Sequence, residues 1–85
     1  MLKVSEHVVA SEFGKGVSIL HLKNNRYFRL EGVAWLVWRR MAEPCAITDI
    51  VDLLQSVYGI DRNQAAFDVD ALLGDLIKNE LLRAE

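Results

Sequence analysis

The chain has 85 residues, 52% of them hydrophobic and 26% charged, with one proline, one cysteine and a formal net charge of -2. This composition excludes a disordered chain, and the length excludes a second ordinary domain, so residues 1–85 are read as a single unit. Cys45 alone can form neither an internal disulfide nor a cysteine-built zinc cluster.

No apolar run approaches the ~18 residues of a spanning helix. The start, Met1-Leu2-Lys3-Val4-Ser5-Glu6, lacks a following apolar h-region. A cytoplasmic protein with no membrane partner is expected. Charge is divided unevenly, +3 over residues 1–43 and -5 over residues 44–85. A domain that grips phosphates needs clustered Lys and Arg, and the acidic second half opposes that.

In chain order, residues 7–11 read as a first strand, followed by a turn at Gly14-Lys15-Gly16. Residues 17–22 form a second strand, with Val17, Ile19 and His21 on one face and Ser18, Leu20 and Leu22 on the other. Neither face is cleanly polar, so cover is expected on both in places. Lys23-Asn24-Asn25 is a turn, because Asn tolerates left-handed backbone angles. Arg26–Leu30 form a third strand, Phe28 and Leu30 inward, Tyr27 and Arg29 outward. The short connections favour antiparallel pairing.

The period then becomes helical. A first helix over about 32–42 gathers Val33, Ala34, Val37, Trp38 and Met41 on one side, leaving Trp35 and Arg39 away from it, and Pro44 stops it. A second helix over about 47–58 repeats Ile47, Ile50, Val51, Leu54 and Tyr58 or Val57, with Gly59 just past its end. Asp61 is expected to cap a third helix to about residue 78, with Gln64 as its reciprocal partner. The inward stripe of that helix is Ala65, Val69, Leu72, Leu73, Leu76 and Ile77. Leu81 and Leu82 return to the core as a tail. The fold class is α+β: a three-stranded antiparallel sheet followed by three helices, the last two spaced like a helix-turn-helix pair.

Catalytic chemistry is scarce. His7 and His21 lie on strands without a third metal ligand. The serines have no base partner, and the paired glycines lack a phosphate-loop ending. No catalytic residue, metal or cofactor is expected. The unusual feature is the back of the third helix, where Phe67, Ala71, Gly74 and Lys78 align opposite the Leu/Val stripe. A solvent-facing stripe should be polar, and Gly74 costs about 1 kcal/mol of helix propensity relative to Ala. Such a stripe suits a groove floor. If the third strand lies at the sheet edge, an extended peptide can add beside it, with Arg26, Arg29 and Lys78 meeting acidic side chains and Phe67 an apolar anchor.

Several segments, in order and spacing, resemble the PqqD family, the recognition element for precursors of ribosomally made, modified peptides. They are Val17–Leu22, the Asn24-Asn25-Arg26-Tyr27-Phe28-Arg29-Leu30-Glu31 turn and strand, Gly32-Val33-Ala34-Trp35-Leu36-Val37-Trp38, Ile47–Leu54, and the helix from Asp61 through Asp68-Val69 to Leu76. The resemblance covers roughly residues 5–83 and is greatest to the stand-alone B1 proteins of lasso peptide biosynthesis. It implies a winged helix-turn-helix fold that binds a leader peptide as an added strand and does not bind nucleic acid. The implied site is Asn25, Arg26, Tyr27, Phe28, Arg29 and Leu30 facing Phe67, Asp70, Ala71, Gly74 and Lys78. Phe67, with Tyr27 or Trp35 nearby, is expected to receive an aromatic ring of the leader. The implied partners are a separate leader peptidase of B2 type and a macrocyclase. A PqqD-type peptide chaperone of quinone-cofactor biosynthesis and a small winged-helix DNA-binding protein are the alternatives. Two positions depart from the family pattern: Ala46 stands where a capping Thr is usual, and Glu80 where Gly is, which passes the left-handed cap to Asn79.

Overall fold

The computed structural model describes residues 1–84. Its elements are β1 (Leu2–Val4), β2 (Val8–Phe13), β3 (Gly16–His21), β4 (Arg26–Glu31), α1 (Val33–Arg40), α2 (Ile47–Tyr58), α3 (Arg62–Lys78) and β5 (Leu82–Ala84). Strands β2, β3 and β4 form an antiparallel sheet in that order, and β1 pairs with β5 as a separate two-stranded ribbon. The three-stranded sheet, the three helices and the α+β, winged helix-turn-helix-like arrangement agree with the sequence reading.

The second strand is buried on the face that alternation marks: Val17 and Ile19 are fully buried and His21 nearly so. They join Val37, Trp38 and Met41 of the α1 region, Ile50, Val51 and Leu54 of α2, and Ala65, Val69, Leu73 and Leu76 of α3 in one core. The cover expected on both faces in places is found on the outer face at the Gly16 end, where Gly16 is buried and Ser18 and Leu20 are partly buried. Leu22 and Val9 are exposed on the outer face, which packs against no helix, while Phe13 folds across the end of the sheet. A Cβ at Gly16 would come within 2.7 Å of the Phe13 ring, so glycine is what lets that ring lie flat. Arg29 stacks on the same ring, 4.1 Å from its centre, and pairs with Glu31 at 3.0 Å.

The helix ends show how local chemistry sets the boundaries. Gly59, at φ 62°, closes α2 in the left-handed conformation that glycine adopts without a Cβ clash. The Asp61 carboxylate accepts hydrogen bonds from the Asn63 and Gln64 N–H groups. The reciprocal bond expected of Gln64 is not made, because its amide donates along the helix to Asp68 instead. At Ala46 the missing cap is offset from the other side, with the Asp49 carboxylate accepting from the Ala46 N–H at 2.9 Å. The left-handed residue after α3 is Glu80, at φ 61°, rather than Asn79. Asn79 continues the helical turn, and its side chain donates to the Asp75 carbonyl.

The ribbon of β1 and β5 is the element the sequence reading lacked. Leu2 opposes Ala84 and Val4 opposes Leu82. Leu2 also exchanges main-chain bonds with Cys45, its N–H donating to the Cys45 carbonyl at 2.8 Å. Leu2, Leu81, Leu82 and Cys45 are all buried, so the ribbon closes the end of the core and Leu81-Leu82 return to it as expected. The α1 helix is also shorter than expected at its end, Met41 following in a turn.

Candidate functional site

The hydrogen-bond pattern of the sheet identifies its free main-chain groups. The Leu22 N–H donates to the His7 carbonyl at 2.8 Å, which marks that cross-strand pair as a bonded one. Bonded and non-bonded pairs alternate in an antiparallel ladder, and both registers run without a bulge. The main-chain groups of Tyr27, Arg29 and Glu31 therefore point away from β3, off the edge of β4. Those of Val8, Ala10 and Glu12 point off the opposite edge. Each edge offers alternate N–H and C=O groups to an extended chain.

The side chains of β4 divide by alternation. Phe28 and Leu30 stand on the helix side, partly buried and packed against the core. Arg26 shares that side, its guanidinium 5.1 Å from the centre of the Phe28 ring. Tyr27, 74% exposed, and Arg29 stand on the outer face. Asn25, at φ 61°, supplies the left-handed turn that launches the strand.

On α3, Phe67 is 72% exposed, and Asp70, Ala71, Gly74 and Lys78 are exposed as well. A Cβ at Gly74 would meet nothing within 4 Å. The close approach that would favour glycine there is thus not made by this chain itself, and the stripe is open. Of the two rings expected to join Phe67, Tyr27 points to the outer face. The Trp35 indole is not turned outward as expected but partly buried, and its N–H donates to Glu12 of β2 at 3.1 Å. On the helix side of β4 the apolar neighbours are Phe28 and Leu30.

A hollow of about 200 Å³ shows how the two halves are oriented. Lys23 of the β3–β4 turn lines it together with Ile77 and Glu80 at the end of α3, and with Ser5, His7, His21, Leu82 and Arg83. The start of β4 and the end of α3 therefore lie at the same end of the molecule. His21 is buried there, its Nδ1 accepting from the Lys23 N–H at 3.3 Å, which fixes the turn. A larger hollow, about 600 Å³, lies elsewhere, between β2 and α1, lined by Val8, Ala10, Glu12, Trp38, Arg39 and Met41 among others. The sequence reading did not find it, because it depends on how far α1 stands from an edge strand.

The Cys45 thiol is held above its ordinary pKa by burial, against a downward pull from Arg40. That suits a small buried hydrophobe and not a nucleophile. Among the described residues no three His, Cys, Asp or Glu side chains gather as a metal site, and no helix is long and apolar enough to cross a membrane.

The family model described as Coenzyme PQQ synthesis protein D (PqqD) matches residues 16–82. The solved structure of TbiB1 in complex with the TbiA(beta) leader peptide is 31% identical, covers 98% of this chain and 96% of that one, and superposes with a TM-score of 0.92. A lasso peptide synthetase B1 complexed with its leader peptide shares the fold at 22% identity and a TM-score of 0.86, over 98% of both chains. No curated protein matches.

Proposed function

The chain belongs to the PqqD family, and on that premise we propose that it binds the leader segment of a ribosomally made precursor, in the lasso peptide class, and presents it to a separate enzyme. The carrying observation is the free β4 edge, with the main-chain groups of Tyr27, Arg29 and Glu31 left unpaired by register, together with an α3 face whose Gly74 is uncovered. The likeness to TbiB1, a protein solved with a leader peptide, supports the reading.

The leader adds as a fourth strand beside β4. Main-chain bonds supply affinity with little sequence choice, and side chains of Phe28, Leu30, Phe67, Asp70, Ala71, Gly74 and Lys78 supply the choice. The chain itself has no catalytic role. Its contribution to processing is effective concentration: a docked leader holds the cleavage site near a leader peptidase, and a macrocyclase acts after cleavage. Turnover requires exchange, so affinity falls in the sub-micromolar to micromolar range, about -8 to -10 kcal/mol.

Calorimetric titration with the leader of the precursor encoded beside this chain tests the reading. Saturable one-to-one binding, lost on scrambling the leader, is the expected result. A folded chain that gives no heat at tens of micromolar leader, and does not stimulate cleavage of that precursor, would refute it.

A further inference from the structure

We infer that the groove is basic at one end and apolar to acidic at the other, and selects peptides in which an apolar anchor is followed, four residues later, by an acidic side chain. The inference rests on the leader-binding reading and specifies the ligand chemistry of that site.

The observation is the shared end of β4 and α3. Lys23 and Arg83 line the hollow at the end of α3, Arg26 follows Lys23 by three residues, and Lys78 directly follows Ile77 of the same hollow. They outnumber the acids there, Glu80 in the hollow and Glu6, which pairs with Arg83 at 4.0 Å and lies 3.9 Å from His7. Asp75 lies about 60° round the helix from Lys78. Arg26 on β4 and Lys78 on α3 are both exposed. Towards the other end the walls turn apolar and then acidic: Leu30 on β4, Phe67 and Asp70 on α3. A carboxylate is therefore drawn to the Arg26–Lys78 end and repelled from the Asp70 stretch.

The spacing follows from the strand. Leu30 and Arg26 are four residues apart on the same face of β4, or about 13 Å. Phe67 and Lys78 span about 16 Å of helix, a difference that the Lys78 stem can reach across. An added strand alternates as β4 does, so two side chains turned into the groove are an even number of residues apart. Moving one by a single residue sends it to the outer face. The sheet is antiparallel throughout. Antiparallel addition puts the anchor at the Leu30–Phe67 end first and the acid second, as apolar-x-x-x-Asp/Glu.

A display library of random 14-residue peptides, selected on the immobilised chain, tests this without knowledge of the natural leader. The expected outcome is Asp or Glu enriched about five-fold over the input at the fourth position after an aromatic or branched apolar residue. The Arg26→Glu/Lys78→Glu variant should enrich Lys or Arg at that offset instead. In the selected peptide, Glu→Gln should weaken binding three- to ten-fold on the native chain and less than two-fold on Arg26→Gln/Lys78→Gln. Enrichment without charge preference, or a preference unmoved by the charge swap, would overturn the polarity and leave peptide binding standing. If the folded chain enriches no peptide and also binds no leader, both readings fall.

Discussion

Cys45 shows what a single buried group does to the pH response of this fold. Burial raises its pKa, so the folded chain favours the thiol and the unfolded chain releases the proton more readily. The stabilising contribution is present below the unfolded value near 9.0 and is lost as pH rises through the higher folded value. Iodoacetamide should accordingly label native protein slowly at pH 8 and label it rapidly in urea. Fast labelling of the folded chain would contradict the burial. The residue's character was legible, since a lone cysteine entering an apolar helix reads as a small hydrophobe. Its partner was not: the main-chain bonds to Leu2 cross most of the first half of the chain and leave no local pattern.

Elements with a strong internal period were readable, and those without one were not. Helices α2 and α3 announce themselves through Ile50, Val51, Leu54 and through Ala65, Val69, Leu73, Leu76, each bounded by Gly59 or Asp61. The cap is testable: Asp61→Ala should cost about 1 kcal/mol, read from urea unfolding followed by circular dichroism. A cost near zero would mean that the Asn63 and Gln64 N–H groups are equally well served by water. By contrast β1 and β5 are three residues each, too short to show alternation, and they exist only because the ends of the chain meet. Leu2 nevertheless belongs to the core. Leu2→Ala should destabilise by about 2–4 kcal/mol, as expected for a buried leucine, whereas an exposed tail would lose almost nothing. The same melt distinguishes the two.

At the scale of the whole molecule the two walls of the proposed groove come from distant segments, yet each was legible alone. Phe67, Ala71, Gly74 and Lys78 break the rule that a helix back is polar, and Arg26–Leu30 alternates as an edge strand does. Which way each wall points was not legible in full. Trp35 is drawn off to Glu12 by a hydrogen bond that no spacing rule anticipates, and Tyr27 stands on the outer face. Phe67 is thus the exposed aromatic of α3 in the proposed site. Phe67→Ala should weaken leader binding about ten-fold in a fluorescence polarisation titration while leaving the melting temperature within 2–3 °C, because a side chain so exposed supports little of the core. Undiminished binding by the folded variant would remove Phe67 from the site.

The antiparallel pairing of Leu2 with Ala84 has an engineering consequence. Entry and exit of the described chain lie side by side, a few ångströms apart, on the ribbon and not on either open sheet edge. A unit of this shape can be spliced into a surface loop of another protein through two short connectors, leaving the host's ends undisturbed. It can equally be circularly permuted by a brief Gly-Ser bridge. Recognition would then be portable: the strand proposed to face the peptide travels with the cassette, whichever scaffold carries it.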